Sequence, residues 1–302
     1  MLSRWVVLQS PLWVLMAMCA FHFARQPKAM QHETGWVSDA VGKGAAGSVV
    51  FQTTGEIRLT SSGTDLWNEA DSAYMVYRPI TTTAELMVRV DTRVGQRGVH
   101  GFAKAALAMR AGIKADAPFV ALAVTSERPT QSGMRPPTVV QLLRQSRGSV
   151  TTFRGADYLR PNGIWSSEEE RRQGMSSTHF PKMDGDTVPM VWLRIIVCLK
   201  SSKPTAIGFI SSAGHAGEAV GNWTSMGDVE LPRELAMQMA SMPSTQALNQ
   251  SGNLSLGGLR AGMPVAALML TRGPYTRSTQ PSSVTFSHFS VSRVPQKQEC
   301  RG

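Results

Sequence analysis

Two strand patterns lie back to back between residues 73 and 91, and they confine this chain to a β-rich fold. Residues 73–77 (Ala-Tyr-Met-Val-Tyr) are short, apolar and aromatic, the pattern of a buried strand. Residues 85–91 alternate: Leu86, Val88 and Val90 fall on one face, Glu85, Met87, Arg89 and Asp91 on the other. That period of two is a pleated strand with one face in a core. Pro79 and the threonines at 81–83 read as the connection between them. A Gly-led turn, Gly63-Thr-Asp-Leu-Trp67, precedes both.

The same kind of signal recurs along the chain. Residues 36–47 are Gly-rich and open the folded region. Strand patterns at 48–51 and 56–60 are joined through Thr53-Thr54-Gly55, a hairpin-like turn. Residues 102–110 are alanine-rich enough for a helix, but 119–125 lies a short loop away as a natural β partner, so both are read as strands. Residues 138–144 and 149–153, turned by Ser146-Arg147-Gly148, form a further hairpin. Residues 191–199 are apolar on both faces apart from Arg194, as a central strand covered on both sides would be. Residues 205–210 pair with them, and 266–271 is another strand. In 283–292, Val284 and Phe286 are in phase, while Phe289 and Val291 are one register later; a bulge near Ser287-His288 reconciles them.

Helices are expected only in insertions. One spans about 154–189 and carries Ser166-Ser167-Glu168-Glu169-Glu170, a capping pattern. The other spans about 229–262, where Pro232 at a first helical position leads Arg-Glu-Leu-Ala-Met-Gln-Met-Ala. About a dozen closely spaced strands with helices confined to insertions give an all-β, two-sheet antiparallel sandwich over 36–292, followed by a disordered tail at 295–302.

The N-terminus is a targeting segment. Arg4 precedes an apolar run at 12–23, with Ala20 and Ala24 as possible cleavage borders, which matches a signal peptide over 1–26. An uncleaved anchor is the second reading, although Gln9, Ser10 and Pro11 interrupt it. A mitochondrial presequence is the third, because Arg4, Arg25 and Lys28 precede the first acid, Glu33. Three of the five asparagines, Asn222, Asn249 and Asn253, begin glycosylation sequons and favour the secretory route. Three cysteines make no disulfide framework; Cys198, inside a strand pattern, reads as a small buried hydrophobe. The net charge of +10 favours anionic partners. With no basic stripe or aromatic-basic motif, nucleic acid is not an expected one.

The order Trp36…Gly47-Ser48, Gly63-Thr64-Asp65-Leu66-Trp67, Asp71 and Tyr74 to Ile80 resembles the concanavalin A-like, or laminin-G-like, β-sandwich domains, and within them a regulation-of-enolase-like group. Phe102-Ala103-Lys104-Ala105, Met109-Arg110, 121–125, Trp192-Leu193-Arg194, Asn222-Trp223-Thr224 and 284–291 continue the resemblance in order. It implies a jelly-roll sandwich acting as a non-catalytic module, often secreted or at a surface, with a suspected carbohydrate ligand. Departures fall on the turns. Asn68 stands where that family has Gly, Thr81-Thr82-Thr83 replaces a Gly-Asp-Gly connection, and 214–221 replaces an Asp-Gly turn.

Candidate contacts follow from residue chemistry. Trp67 and Trp223, beside turns, are the first choices for stacking on a sugar, with Tyr74 and Arg110 as further contacts. The tyrosines Tyr74 and Tyr77 otherwise fill the core between sheets. Asp65 and Asp71 suit a calcium ion, a hard cation, or else cap turns around Trp67. Arg110 and Arg194, in apolar strands, need acid partners, and Asp65 and Asp71 are the nearest choices. The histidines show no metal spacing. Retaining glycosidases of this shape use Glu-x-Asp-x-x-Glu, but Glu69-x-Asp71-x-x-Tyr74 lacks the second Glu, so no catalysis is expected. The function expected is therefore binding of a glycan or glycoprotein at an edge near Trp67 and Trp223, with no cofactor and membrane contact only through residues 1–26. A scaffold subunit of a large, possibly mitochondrial, assembly is the alternative, and a hydrolase the third reading.

Overall fold

A computed structural model describes residues 30–31, 35–67, 69–80, 84–91, 94, 102–126, 128–130, 133–135, 138–146, 148, 150–157, 190–199, 203–212, 223–241, 263–273 and 280–293. In chain order its strands are β1 (Met30–Gln31), β2 (Val37–Val41), β3 (Gly47–Phe51), β4 (Ile57–Ser61), β5 (Ala73–Pro79), β6 (Ala84–Asp91), β7 (Lys104–Arg110), β8 (Phe119–Thr125), β9 (Arg128–Thr130), β10 (Gly133–Arg135), β11 (Thr138–Arg144), β12 (Val150–Asp157), β13 (Met190–Cys198), β14 (Thr205–Ser212), β15 (Thr224–Glu230), β16 (Val265–Thr271) and β17 (Ser282–Arg293). One helix, α1 (Arg233–Ala240), lies among the described residues.

The strands form a two-sheet antiparallel β-sandwich. One sheet runs β1-β2-β5-β16-β7-β8-β11-β12, the other β15-β14-β13-β6-β17-β4-β3, and β9 and β10 form a separate ribbon. The main core lies between the sheets. Val76, Leu107, Leu122, Leu143 and Leu268 of the eight-stranded sheet meet Leu59, Val88, Leu193, Ile210 and Phe286 of the seven-stranded one. Every one of them sits at the in-facing phase of its strand, so alternation alone places it. The expected hairpins β3–β4, β7–β8, β11–β12 and β13–β14 all form. β13 is interior, flanked by β14 and β6. β17, on the other side of β6, shifts register against it between Ser287 and Ser290, with His288 at φ 53, which is the expected bulge.

Some expectations need correction. Residues 37–41, read only as a Gly-rich opening, form β2 and pair with β5. Residues 224–230, given no strand in the sequence and in part assigned to the insertion from about 229, form β15 at the edge of the seven-stranded sheet. The insertion placed at 154 begins later, because β12 runs to Asp157. Pro79 ends β5 opposite Val265 rather than belonging to the connection. Pro232 is the residue just before α1, with extended backbone, not its first helical residue. The targeting segment at 1–26, the capping pattern at 166–170, the tail at 295–302 and the asparagines of all three sequons lie outside the described residues.

A second apolar layer covers the far side of the eight-stranded sheet. There Ala106, Ala108, Ala121, Ala123 and Ala267 pack with Met75, Tyr77 and Met269. The connections at 62–72 and 111–118 bring Leu66, Ile113 and Ala115 onto this layer. Alanines with no long side chain leave room for that roof. Tyr77, expected between the sheets, is in this outer layer, whereas Tyr74 packs against the main core.

Candidate functional site

The expected contact residues separate onto opposite sides of the sandwich. Asp65, Trp67, Asp71 and Arg110 gather over the eight-stranded sheet, where Asp65 pairs with Ser72 as an isolated bridge. Lys104 Nζ donates to Asp65 Oδ1 at 2.6 Å, and the same oxygen accepts the Leu66 N–H at 2.7 Å. Asp71 is enclosed with Arg110 and Arg144, all three side chains inaccessible. Arg110 Nη1 donates to Asp71 Oδ2. Arg144 Nη2 lies 2.7 Å from Oδ1 as an ion pair rather than an aligned hydrogen bond. Phe119 sits beside both guanidinium groups, 5.4 and 4.9 Å from ring centre to carbon.

This cluster is a clasp. Arg110 also donates to the carbonyls of Gly112 and Lys114, Arg144 to that of Ala115, and the Asp71 N–H bonds the Ala115 carbonyl at 2.8 Å. Two roof connections are thereby tied to one carboxylate. Arg110 and Asp71 are partners, as the sequence suggested. With no exposure, neither can touch a ligand. The two carboxylates also do not fit a calcium ion. Each is already engaged by an ammonium or guanidinium group, so a cation would enter a positively charged setting. No cluster of three metal-ligating side chains occurs among the described residues.

Trp67 is exposed, at 42%, with Lys104 Nζ 5.7 Å from its ring and its carbonyl accepting the Val150 N–H. Tyr74 is spent on structure, its hydroxyl bonding Ser38 Oγ at 3.1 Å.

Trp223 stands on the other sheet. The single edge expected to join Trp67 and Trp223 therefore does not form. Trp223 precedes β15, and its ring lies 5.4 Å from the Arg194 guanidinium, which also faces Phe209 at 5.5 Å. Arg194 Nε donates to Glu85 Oε1 at 2.6 Å. Arg194's acid is thus Glu85, not Asp65 or Asp71 as expected.

Cross-strand register turns these residues into rows on the outer face of the seven-stranded sheet, because directly opposed residues point the same way. One row runs Ser290, Met87, Arg194, Phe209 and Ser225 across five strands. The row on one side is Ser287, Arg89, Trp192 and Ser211. On the other side lie Ser292, Glu85, Ile196, Ile207 and Asp228. His288, exposed in the bulge, faces Trp192 at 5.4 Å. Farther along, Cys198 is buried and disulfide-bonded, which corrects its reading as a plain hydrophobe. The other cysteines, Cys19 and Cys300, lie outside the described residues.

Such a face can bind a polyol. Indole and phenyl planes offer stacking surfaces, and guanidinium, carboxylate and hydroxyl groups supply hydrogen bonds. Arg194 is held by two rings and a carboxylate, so its fork is set before a ligand arrives. Among the described residues the eight-stranded sheet presents no comparable face; its outer layer is apolar and roofed.

No family model matches the chain, and no curated protein does. Among solved structures it is similar to an alginate lyase from Pseudomonas aeruginosa, at 12% identity and TM-score 0.35 over 82% of this chain and 86% of that one. It is also similar to the carbohydrate recognition domain of Emp47p, at 9% identity and TM-score 0.36 over 87% of this chain and 92% of that one. Likenesses this distant say nothing about the ligand of this chain.

Proposed function

We propose that this protein is a non-catalytic, cofactor-free binding module whose ligand, a glycan or the glycan of a glycoprotein, lies on the outer face of the seven-stranded sheet. The observation that carries the reading is the Trp223–Arg194–Phe209 stack with Glu85, flanked by Ser290 and Ser225. It combines aromatic planes and a preset polar fork on rigid strands, the composition of a sugar site. The carboxylate of the incomplete hydrolase motif, Asp71, is enclosed between two guanidinium groups and has no access to a substrate. A secretory route agrees with the Cys198 disulfide, since such bonds persist in oxidising compartments.

A glycan array at low and high salt tests the proposal. Binding that persists in ~0.5 M salt, even where weakened for charged glycans, supports it, because stacking and neutral hydrogen bonds are little screened. Binding lost with salt, alongside salt-sensitive co-purification with a large assembly, would transfer the chain to the scaffold class.

A further inference from the structure

Among the described residues, the largely shielded basic side chains on the outer faces of the strands are matched to acids with one exception. Lys104 has Asp65, Arg110 and Arg144 share Asp71, and Arg194 has Glu85. Arg89, one row from Arg194, has none. It is 9% exposed, and its one hydrogen bond runs from Nε to the Met190 thioether at 2.7 Å. A thioether is a weak acceptor. Asp91, two residues along on the same face, is engaged by other contacts. Arg78 also lacks a carboxylate, but it rests on the rings of Trp36 and Phe289 at 5.6 and 5.3 Å. Among the described residues no ring takes that part for Arg89.

A guanidinium withdrawn from water without an oxygen acceptor carries an uncompensated desolvation cost. At 9% exposure, Arg89 keeps a small edge open to solvent. Trp192 and Ser287 flank that edge across the neighbouring strands. We infer that Arg89 receives an oxyanion substituent of the ligand, so that the glycan bound on this face is acidic, carrying a uronate carboxylate or a sulfate. The planar fork of arginine suits either oxyanion in a two-point contact. The inference rests on the binding face proposed above and adds the class of its ligand.

The test uses an array of matched oligosaccharides ending in glucose, in glucuronate or in sulfated glucose, with the wild type, Arg89→Met, Arg89→Lys, Trp223→Ala and the exposed control Arg233→Gln. The expected result is at least a tenfold preference of the wild type for one acidic set over the glucose set. Arg89→Met should reduce acidic binding to the glucose level and leave glucose binding unchanged. Arg89→Lys, which keeps the charge but not the fork, should lose more on glucuronate than on sulfate. Arg233→Gln should match the wild type, separating a site from general basicity. Equal binding of glucose and acidic sets by the wild type, or an acidic preference intact in both Arg89 variants, overturns the inference. Loss with Trp223→Ala but not with Arg89→Met keeps the binding face and removes the acidic ligand. Loss with Arg89→Met but not with Trp223→Ala keeps the acidic ligand at Arg89 and overturns the Trp223 stack as the part of the face that holds it. Circular dichroism on each variant identifies one that has failed to fold, and Arg89→Lys then carries the comparison.

Discussion

Glu85 on β6 and Arg194 on β13 meet at 2.6 Å across neighbouring strands, with both side chains largely shielded from water. Their contact joins two residues 109 apart in sequence and fixes the polar centre of the seven-stranded face. Replacing Glu85 with Gln keeps the shape but removes the negative charge that faces Arg194. The expected cost is about 1–3 kcal/mol of stability, with weaker glycan binding from a less firmly set fork. Urea denaturation and binding measured on one preparation check both.

Asp71 is expected to matter to the fold and not to the ligand. Asp71→Ala removes the carboxylate that both enclosed guanidinium groups contact, and breaking a buried pair in this way costs about 3–5 kcal/mol. Removing Arg144 alone, as Arg144→Met, leaves the Arg110–Asp71 pair and should cost less. A chemical-denaturation series gives the order; Asp71→Ala as stable as the wild type would remove the clasp from the account.

Gly42 makes a sharper steric prediction. It has φ +84, and a Cβ there would stand 1.7 Å from the Asp71 carbonyl oxygen. Both the backbone conformation and the space exclude a side chain. Gly42→Ala should therefore lower stability by more than the ~1 kcal/mol typical of a point change, by displacing the segment that carries Asp71. Gly55→Ala meets open space but also has positive φ, so it reports the conformational cost by itself.

Tyr77 and Asp39 give a pH signature. Burial first, and then the charge of Asp39, push the Tyr77 hydroxyl up to about 12 from 10.0. A raised folded value means stability that is complete below pH 10 and lost as pH rises towards 12. Burial also raises the Asp39 carboxyl, partly offset by the Ala40 N–H. Its folded form thus disfavours the charge carried at neutral pH, and that contribution is present below its ordinary 3.8 and lost above. Tyr77→Phe should flatten the fall in stability between pH 10 and 12. Asp39→Asn should be neutral or stabilising at pH 7 and bring the Tyr77 titration down. Alkaline absorbance titration with thermal melts reads all three effects.

The fold was legible where alternation is strong and the partner is near in sequence. Leu86, Val88 and Val90 were assigned to the core by period alone, and β7–β8 by a short loop between matched strands. The phase change between Phe286 and Phe289 announced the bulge. β2 and β15 were missed because Ser38 and Asp39 in Val37–Val41, and Gly227 with the polar residues of Thr224–Glu230, mask a weak alternation, which edge or near-edge pairing tolerates. The site was legible only in pieces. Glu85 and Arg89 were placed on the face away from the core, and Trp192 and Arg194 lay in one recognisable strand. Nothing local says that β6 pairs with β13, residues 84–91 with 190–198, and that pairing makes the rows. The two tryptophans beside turns looked equivalent, yet the sheets to which their turns belong set them on opposite sides.

The most direct test compares the wild type, Trp223→Ala and Trp67→Ala in calorimetric titration with the tightest-binding glycan from the array. Removing a stacking indole from a ligand site costs on the order of 1–3 kcal/mol, or tenfold or more in affinity. The account predicts that loss for Trp223→Ala with the fold intact, and near wild-type affinity for Trp67→Ala. Full affinity in Trp223→Ala with loss in Trp67→Ala would place the ligand on the eight-stranded side and contradict the account.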